Sequence, residues 1–362
     1  MRLAIYPSNR CNMACRYCMV DLNHGPAVIT THEILKDGLE WLMSHPGPTS
    51  TRNITFFGGE PLLHYNLLKG FVSYARARYS PDRLDMVIVT NGYYLDEAKA
   101  SFLLEHGVNV DVSLDGAREW NDRYRIFSGA GKVGRSVFES VALRLRNIRQ
   151  GLRASMVVAP DTAAAFADNV KAIHQSGFQI VGLGLNYLAD WRPSSLKDLS
   201  RSLGKVKDYI AETSQKNSLS FAALYFSPSE VSRVPLMPLE CDVVLGADGY
   251  FYCSHAAVTV PYEKNKHLRT GSARDGLDVE RLRSVLISPL EAQREKMRKT
   301  SPPDICEDFF ALMREFPGLL CAAHWTMLSR RNPVARLHNM LEAASVVHRA
   351  WLKGLPFNDW AM

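Results

Sequence analysis

The 362-residue chain reads as an α/β protein built on a parallel sheet. Short β-branched or aromatic runs alternate with helical stretches at a steady pace through residues 1–200. Four of the runs end in a polar or glycine-rich segment, which is where parallel α/β barrels carry their working residues. Composition agrees with a globular chain: 46% hydrophobic and 22% charged, long enough for one large domain plus a smaller one.

Residues 2–7 (RLAIYP) read as a short strand running straight into a cysteine-rich loop. A helix follows over about 31–45, with Thr31 as N-cap and Glu33 in its first turn. Asn53 to Phe57 (NITFF) is a strand that stops at Gly58-Gly59-Glu60-Pro61, and apolar spacing predicts a helix from Leu67 to Tyr79. Met86 to Val89 is a strand ending at Thr90-Asn91-Gly92, with a helix over 96–106 after it. Val108 to Val112 is a strand ending at Ser113-Leu114-Asp115-Gly116. A long helix is expected over 134–150, then strand Ala154–Val158, helix 162–176 and strand Ile180–Leu185. From Trp191 to Phe226 the pattern turns helical and polar, so the domain junction belongs there. The expected organisation is a barrel over 1–200, a helical connection over 201–235, a second domain over 236–330 and a closing helix within 331–362.

The loop Cys11-Asn-Met-Ala-Cys15-Arg-Tyr-Cys18 places three thiols within eight residues. They are too close to pair comfortably as disulfides, and thiolates on a short loop can converge on one soft metal centre. Three ligands on a four-iron cube leave one iron open to an outside ligand. A structural zinc knuckle is the alternative, although zinc sites usually pair CxxC with a second CxxC or HxxxH, and neither follows. Gly58-Gly59 allows close backbone approach and positive φ, and Glu60 offers an acceptor for a cation; an ordinary strand-to-helix turn is the other reading.

Four cysteines remain: Cys241, Cys253, Cys306 and Cys321. Cys241 and Cys253 flank a hairpin with Asp248-Gly249 at its turn, so the thiols sit at its open ends. Four thiolates complete one four-iron cluster with no open iron; buried inert thiols are the alternative.

Cys11, Cys15 and Cys18, with Tyr17 before the third cysteine, resemble the signature of the radical S-adenosylmethionine (SAM) enzymes. In that superfamily SAM chelates the open iron and is cleaved to a 5′-deoxyadenosyl radical that abstracts hydrogen from substrate. The resemblance implies a partial (β/α)6 TIM-like barrel. It implies that Gly58, Gly59, Glu60 and Pro61 bind the SAM amino group, and that Ser113 and Asp115 contact SAM on its ribose side. Arg125, in the D-x-x-R that starts at Asp122, is the implied partner of the SAM carboxylate, with Arg123, Lys132 and Arg135 as competitors. Asn91 and Tyr17 join the cofactor set, and Asn186 lies near the adenosine or is a turn residue.

The C-terminal region resembles the SPASM/twitch auxiliary-cluster extension, through the hairpin ending DGYFYC and the segment from His267 to Asp278. A full SPASM domain carries more cysteines than these four, so one auxiliary [4Fe-4S] cluster is expected beside the SAM-binding one. Ser254 stands where the sulfatase-maturating members have an aspartate base, and His255 is the candidate acid or base instead, or a structural histidine.

The resemblance implies a ribosomally made peptide as substrate, to be crosslinked, oxidised or epimerised. A small molecule such as a sugar or aminocyclitol, dehydrogenated or decarboxylated, is the alternative, and a non-catalytic metal-binding protein is a further one. No leader-recognition domain precedes the cysteine loop, so a peptide is expected to dock directly or through a separate recognition protein. Flavodoxin or ferredoxin is the expected electron donor. Net charge is +6, densest at Arg144–Arg153 and Arg330–Arg336. These are solvated helix faces or a surface that steers an acidic partner. No nucleic-acid fold is apparent, no apolar run approaches the ~18 residues that span a bilayer, and a cytoplasmic location is expected.

Overall fold

The computed structural model describes residues 2–18, 26–45, 51–129, 135–143, 145, 148, 151–214, 220–222, 243–258, 265–299, 323–324 and 333–352. The first half alternates β1 (Arg2–Ile5), α1 (His32–Ser44), β2 (Arg52–Phe56), α2 (Tyr65–Arg76), β3 (Leu84–Thr90), α3 (Glu97–Glu105) and β4 (Val108–Ser113). It continues through α4 (Arg118–Tyr124), β5 (Leu152–Val158), α5 (Phe166–Gln175), β6 (Ile180–Leu185), α6 (Pro193–Ser214) and β7 (Ser220–Ala222). The second half has β8 (Val243–Leu245), β9 (Tyr250–Tyr252), α7 (His255–Val258), β10 (Arg269–Ser272), β11 (Gly276–Leu277), α8 (Val279–Leu282), α9 (Ser288–Met297) and α10 (Pro333–Leu352).

All eleven strands form one sheet, ordered β11-β10-β9-β8-β1-β2-β3-β4-β5-β6-β7. Neighbours from β1 to β7 pair in parallel, as the strand-helix alternation requires. Register lines up Ile5, Phe56, Ile88, Val110 and Leu152 in one row across five strands, and all are buried. Helices cover this face: α1 buries Leu35, Leu39 and Leu42, and α2 buries Leu68, Phe71 and Val72. Phe56 meets Phe71 edge-on with ring centres 5.5 Å apart. The opposite face is polar. Asp85 accepts from Asn53 Nδ2 at 2.6 Å and from Asn109 Nδ2 at 3.0 Å, while Asp111 pairs with Arg153. A sheet with one apolar and one polar face has the lining of a curved barrel that leaves room for a polar ligand.

Thr31 caps α1 as expected, its side chain accepting from the Ile34 N–H. The Asp248-Gly249 hairpin is present as antiparallel β8 and β9, with Gly249 at φ 83°. Several elements differ from the sequence reading. The polar, seven-residue α4 was not foreseen, because Arg118–Tyr124 (REWNDRY) has no apolar stripe. Of the helix expected over 134–150, residues 137–143 are helical and take a π-type turn over Glu139–Leu143; the rest lies largely outside the described residues. The polar 191–226 stretch holds α6 but also strand β7. The hairpin of the second half is joined to the first: β8 pairs in parallel with β1, Leu3 opposite Val243 and Ile5 opposite Leu245. No helix among the described residues is long and apolar enough to cross a membrane.

The closing helix expected over 332–354 is α10, and it packs on α6 with Leu337, Leu341 and Val347 buried. A two-way amide bridge holds it: Trp191 N–H donates to Asn339 Oδ1 at 2.8 Å, and Asn339 Nδ2 donates to Trp191 O at 2.6 Å. Replacing Asn339 by Leu strands both backbone groups of a buried residue, so urea denaturation should show a loss of about 1–3 kcal/mol. An Asn339→Leu protein as stable as the parent would show that the bridge is dispensable.

Candidate active site

The cysteine loop leaves the carboxyl end of β1 and is held on several sides. Ala14 N–H bonds Ile126 O at 2.8 Å, Arg16 N–H bonds Tyr124 O at 2.9 Å, and Ser128 N–H bonds Asn12 O at 3.0 Å. These tie the loop to the last residue of α4 and the segment after it. On the other side, Glu60 N–H bonds Arg10 O at 2.8 Å. A methyl on Gly59 would lie 1.9 Å from that same carbonyl oxygen, and Gly58 sits at φ 110° against the Tyr6 ring. Only glycine fits either place, so the two glycines serve the packing of the cysteine loop on the end of β2.

Glu60 is 1% exposed. Its carboxylate accepts from Leu62 N–H at 3.0 Å, Thr90 Oγ1 at 2.6 Å and Asn91 N–H at 2.8 Å, spanning the ends of β2 and β3. Burial pushes its pKa up to about 7, against the pull of these three neutral donors. Asn91 reaches the loop from the end of β3: Nδ2 donates to Asn12 Oδ1 at 2.8 Å and lies 3.9 Å from Cys11 Sγ.

Asp115, after β4, is the third anchor. Arg125 Nε and Nη2 donate to its two oxygens at 3.0 and 2.9 Å, and Val157 N–H adds a bond of 3.0 Å. Tyr17, inside the cysteine loop, donates its hydroxyl to Asp115 Oδ2 at 2.5 Å, with the Arg125 guanidinium 5.4 Å from its ring centre. Arg125 and Asp115 are both nearly inaccessible. Thus Tyr17, Asn91, Asp115 and Arg125, all expected around the cofactor, are brought together with the cysteine loop, and the Arg125 fork is spent on Asp115. Ser113 closes β4 on the same rim. Asn186 stands at the end of β6, where its carbonyl accepts from Trp191 Nε1 at 2.9 Å.

Cys11, Cys15 and Cys18 form no disulfide. Burial pushes the Cys11 thiol up to about 12 and the Cys15 thiol up to about 11, with Cys15 and Cys18 adding to the first shift and Cys18 to the second. Among the described residues no three His, Cys, Asp or Glu side chains are drawn into a closed metal-holding set. The donor chemistry fits an iron–sulfur cluster: three soft ligands on one short loop, and the buried Asn12 Nδ2 beside them without a hydrogen-bond partner.

His255 opens α7 beside the carboxyl ends of β1 and β2. Its Nδ1 is 2.9 Å from Tyr6 OH, and its ring lies 4.9 Å from that of Phe57. Cys253, fully buried, lies 3.7 Å from His324 Nδ1, which also contacts Ser254 Oγ at 2.7 Å. Burial pushes His324 down to about 4. Sequence reasoning missed His324; the Cys321-x-x-His324 spacing was the available signal. Cys241, Cys306 and Cys321 lie outside the described residues.

Two outcomes follow from the anchors. Asp115→Asn leaves a buried guanidinium without its counter-charge and should cost about 3–5 kcal/mol in urea denaturation. The double change Asp115→Leu with Arg125→Met should cost less than either single change; equal additive losses would show no coupling. For Glu60 the folded pKa of about 7 lies above the ordinary 4.5, so its stabilising contribution is full below 4.5 and is lost as pH rises through 7. Relative to Glu60→Gln, the parent protein should lose up to about 3 kcal/mol between pH 5 and 8. Parallel melting-temperature profiles for the two proteins would contradict this.

Residues 5–149 match the Radical SAM superfamily. The serine-type anaerobic sulfatase-maturating enzyme of Klebsiella aerogenes is 30% identical over 185 residues, 49% of this chain and 43% of that one. An uncharacterized protein of Methanocaldococcus jannaschii is 31% identical over 34% of this chain and 41% of its own. The chain thus spans less than half the length of these two relatives. Among solved structures, native anSMEcpe with bound AdoMet superposes with a TM-score of 0.68 at 19% identity, covering 98% of both chains. The same protein with bound AdoMet and Cp18Cys peptide gives 0.63 at 18%, over 97% of this chain and 99% of that one. Streptococcus suis SuiB bound to precursor peptide SuiA gives 0.50 at 14%, over 72% and 60%. At these identities the likeness is one of fold. Cysteine loop, glycine pair and strand-end anchors all fall on one rim, inside or beside the segment that matches the radical SAM superfamily.

Proposed function

We propose that the chain is a radical SAM enzyme that acts on a ribosomally made peptide, activating a C–H bond to crosslink, oxidise or epimerise it. The observation that carries the reading is the cysteine loop clamped to the carboxyl ends of β2, β3 and β4 on the rim of a polar-faced sheet. The peptide assignment draws support from the end-to-end likeness in fold to anSMEcpe, a protein seen with bound peptide.

Cys11, Cys15 and Cys18 are the residues that would hold the cluster, with Gly58–Pro61, Asn91, Ser113 and Asn186 around SAM. When bound, the [4Fe-4S] cluster with SAM supplies a 5′-deoxyadenosyl radical that takes hydrogen from substrate. The chain fixes the loop through Tyr17, Asp115 and Arg125, and through the Asn91 amide on Asn12. Glu60 keeps a carboxylate under the rim among neutral donors, and a cation bound there would favour its ionised form. His255, held by Tyr6 OH, is the group assigned to move a proton at the edge of the site. Ser254 is engaged by His324. Cys241, Cys253, Cys306 and Cys321 supply the ligands of one auxiliary cluster. A small redox protein of the flavodoxin or ferredoxin kind delivers electrons, a separate protein presents the peptide leader, and the cytoplasm is the compartment in which such thiols stay reduced.

Anaerobically reconstituted protein given dithionite and SAM should release 5′-deoxyadenosine, and replacing Cys11, Cys15 and Cys18 by Ala should abolish the release. A short peptide encoded beside the gene should change mass under the same conditions. Persistent 5′-deoxyadenosine from the triple variant would overturn the cluster assignment, and a mass change on a sugar instead would overturn the substrate class.

A further inference from the structure

We propose that His324 is a nitrogen ligand of the metal centre that Cys253 serves, so that this centre has a mixed cysteine and histidine ligand set. The inference rests on the auxiliary-cluster reading above and amends its ligand set, a histidine that the cysteine pattern does not contain taking the place of one of the four cysteines.

Cys253 follows β9 and is fully buried, and His324 is 1% exposed. Seventy-one positions separate them in the chain, yet His324 Nδ1 stands 3.7 Å from Cys253 Sγ. Nδ1 also lies 2.7 Å from Ser254 Oγ. The other ring nitrogen, Nε2, is buried and has no hydrogen-bond partner. A buried imidazole with one nitrogen unmet is unfavourable unless something else occupies that nitrogen. Metal-binding histidines resolve this in a recurring way. One ring nitrogen carries the proton and is oriented by an oxygen, and the other keeps its lone pair for the metal. Here Nδ1–H donating to Ser254 Oγ leaves Nε2 bare, on a ring whose Nδ1 edge stands 3.7 Å from a thiol of the soft type that shares iron or zinc with imidazole. The hydroxyl of Ser254 is then a positioning group. In sequence, Cys321 and His324 have the two-residue spacing common to paired metal ligands. A four-iron cluster takes four protein ligands, so with His324 bound one of Cys241, Cys306 and Cys321 is not a ligand.

The test uses the full chain with Cys11, Cys15 and Cys18 replaced by Ala, reconstituted anaerobically, so that remaining iron reports on the second centre alone. Iron content and pulsed electron paramagnetic resonance of the reduced cluster are read. A strongly coupled nitrogen is expected in this parent. In the same background His324→Cys should retain iron, lose the nitrogen coupling and move the reduction potential downward, as thiolate replaces imidazole. Melting of the metal-free forms checks that this variant folds. Iron with no nitrogen coupling, or a His324→Cys spectrum identical to the parent's, overturns the ligand assignment while leaving the auxiliary cluster standing. A parent that binds no iron overturns the auxiliary-cluster reading and the ligand with it.

Discussion

The contact between Asp115 and Arg125 is the constraint on which the rim depends. A buried ion pair of this kind is weak evidence for stability, since desolvating both charges offsets most of their attraction. What it does here is fix position. Both Asp115 oxygens are committed, to a bidentate fork, a backbone N–H and the Tyr17 hydroxyl. The ends of β4 and β5 and the middle of the cysteine loop are therefore referred to one carboxylate. Tyr17 lies directly before Cys18, so the register of the third thiol is set from the sheet rather than from the loop.

Backbone closeness does the rest. Gly59 lets the strand-end turn approach Arg10 so nearly that no side chain could intervene, and Glu60 N–H then bonds the same carbonyl. The Glu60 carboxylate turns the other way, into the ends of β2 and β3. One glutamate thus ties two strand ends with its side chain and the cysteine loop with its backbone. Leaving that carboxylate among neutral donors keeps it near the midpoint of its titration at neutral pH, where a cation on the rim alters its charge with little energy.

The positions of these residues along the chain were legible because strand, turn and helix alternate with clear punctuation. Thr31, the Gly58–Pro61 stop and the Asp248-Gly249 turn each announce themselves by residue type. Their partners were not legible. That Arg125 meets Asp115, that Asn91 meets Asn12, or that Gly58 packs on Tyr6 depends on which strand ends lie side by side. Local sequence holds no record of such contacts. Helix α4 was missed for a related reason: it is short and polar, and it forms where Asn121 accepts from Asp115 N–H and the following segment pairs with the loop. His324 was missed because a lone histidine carries no periodicity and its two-residue spacing from Cys321 gains meaning only with its approach to Cys253.

The strand order gives the two halves of the chain a common element. β1 is flanked by β2 on one side and β8 on the other, so the strand that launches the cysteine loop also carries the hairpin toward Cys253. Tyr6, the first residue after β1, donates its backbone N–H to Leu245 O at 2.9 Å and its hydroxyl contacts His255. A shift of the hairpin against β1 would move Tyr6, and with it the ring on which Gly58 packs. The geometry around the cysteine loop and the geometry around Cys253 are therefore coupled through one aromatic residue and two parallel backbone ladders. This is a mechanical coupling that a flexible tether between separate domains could not provide.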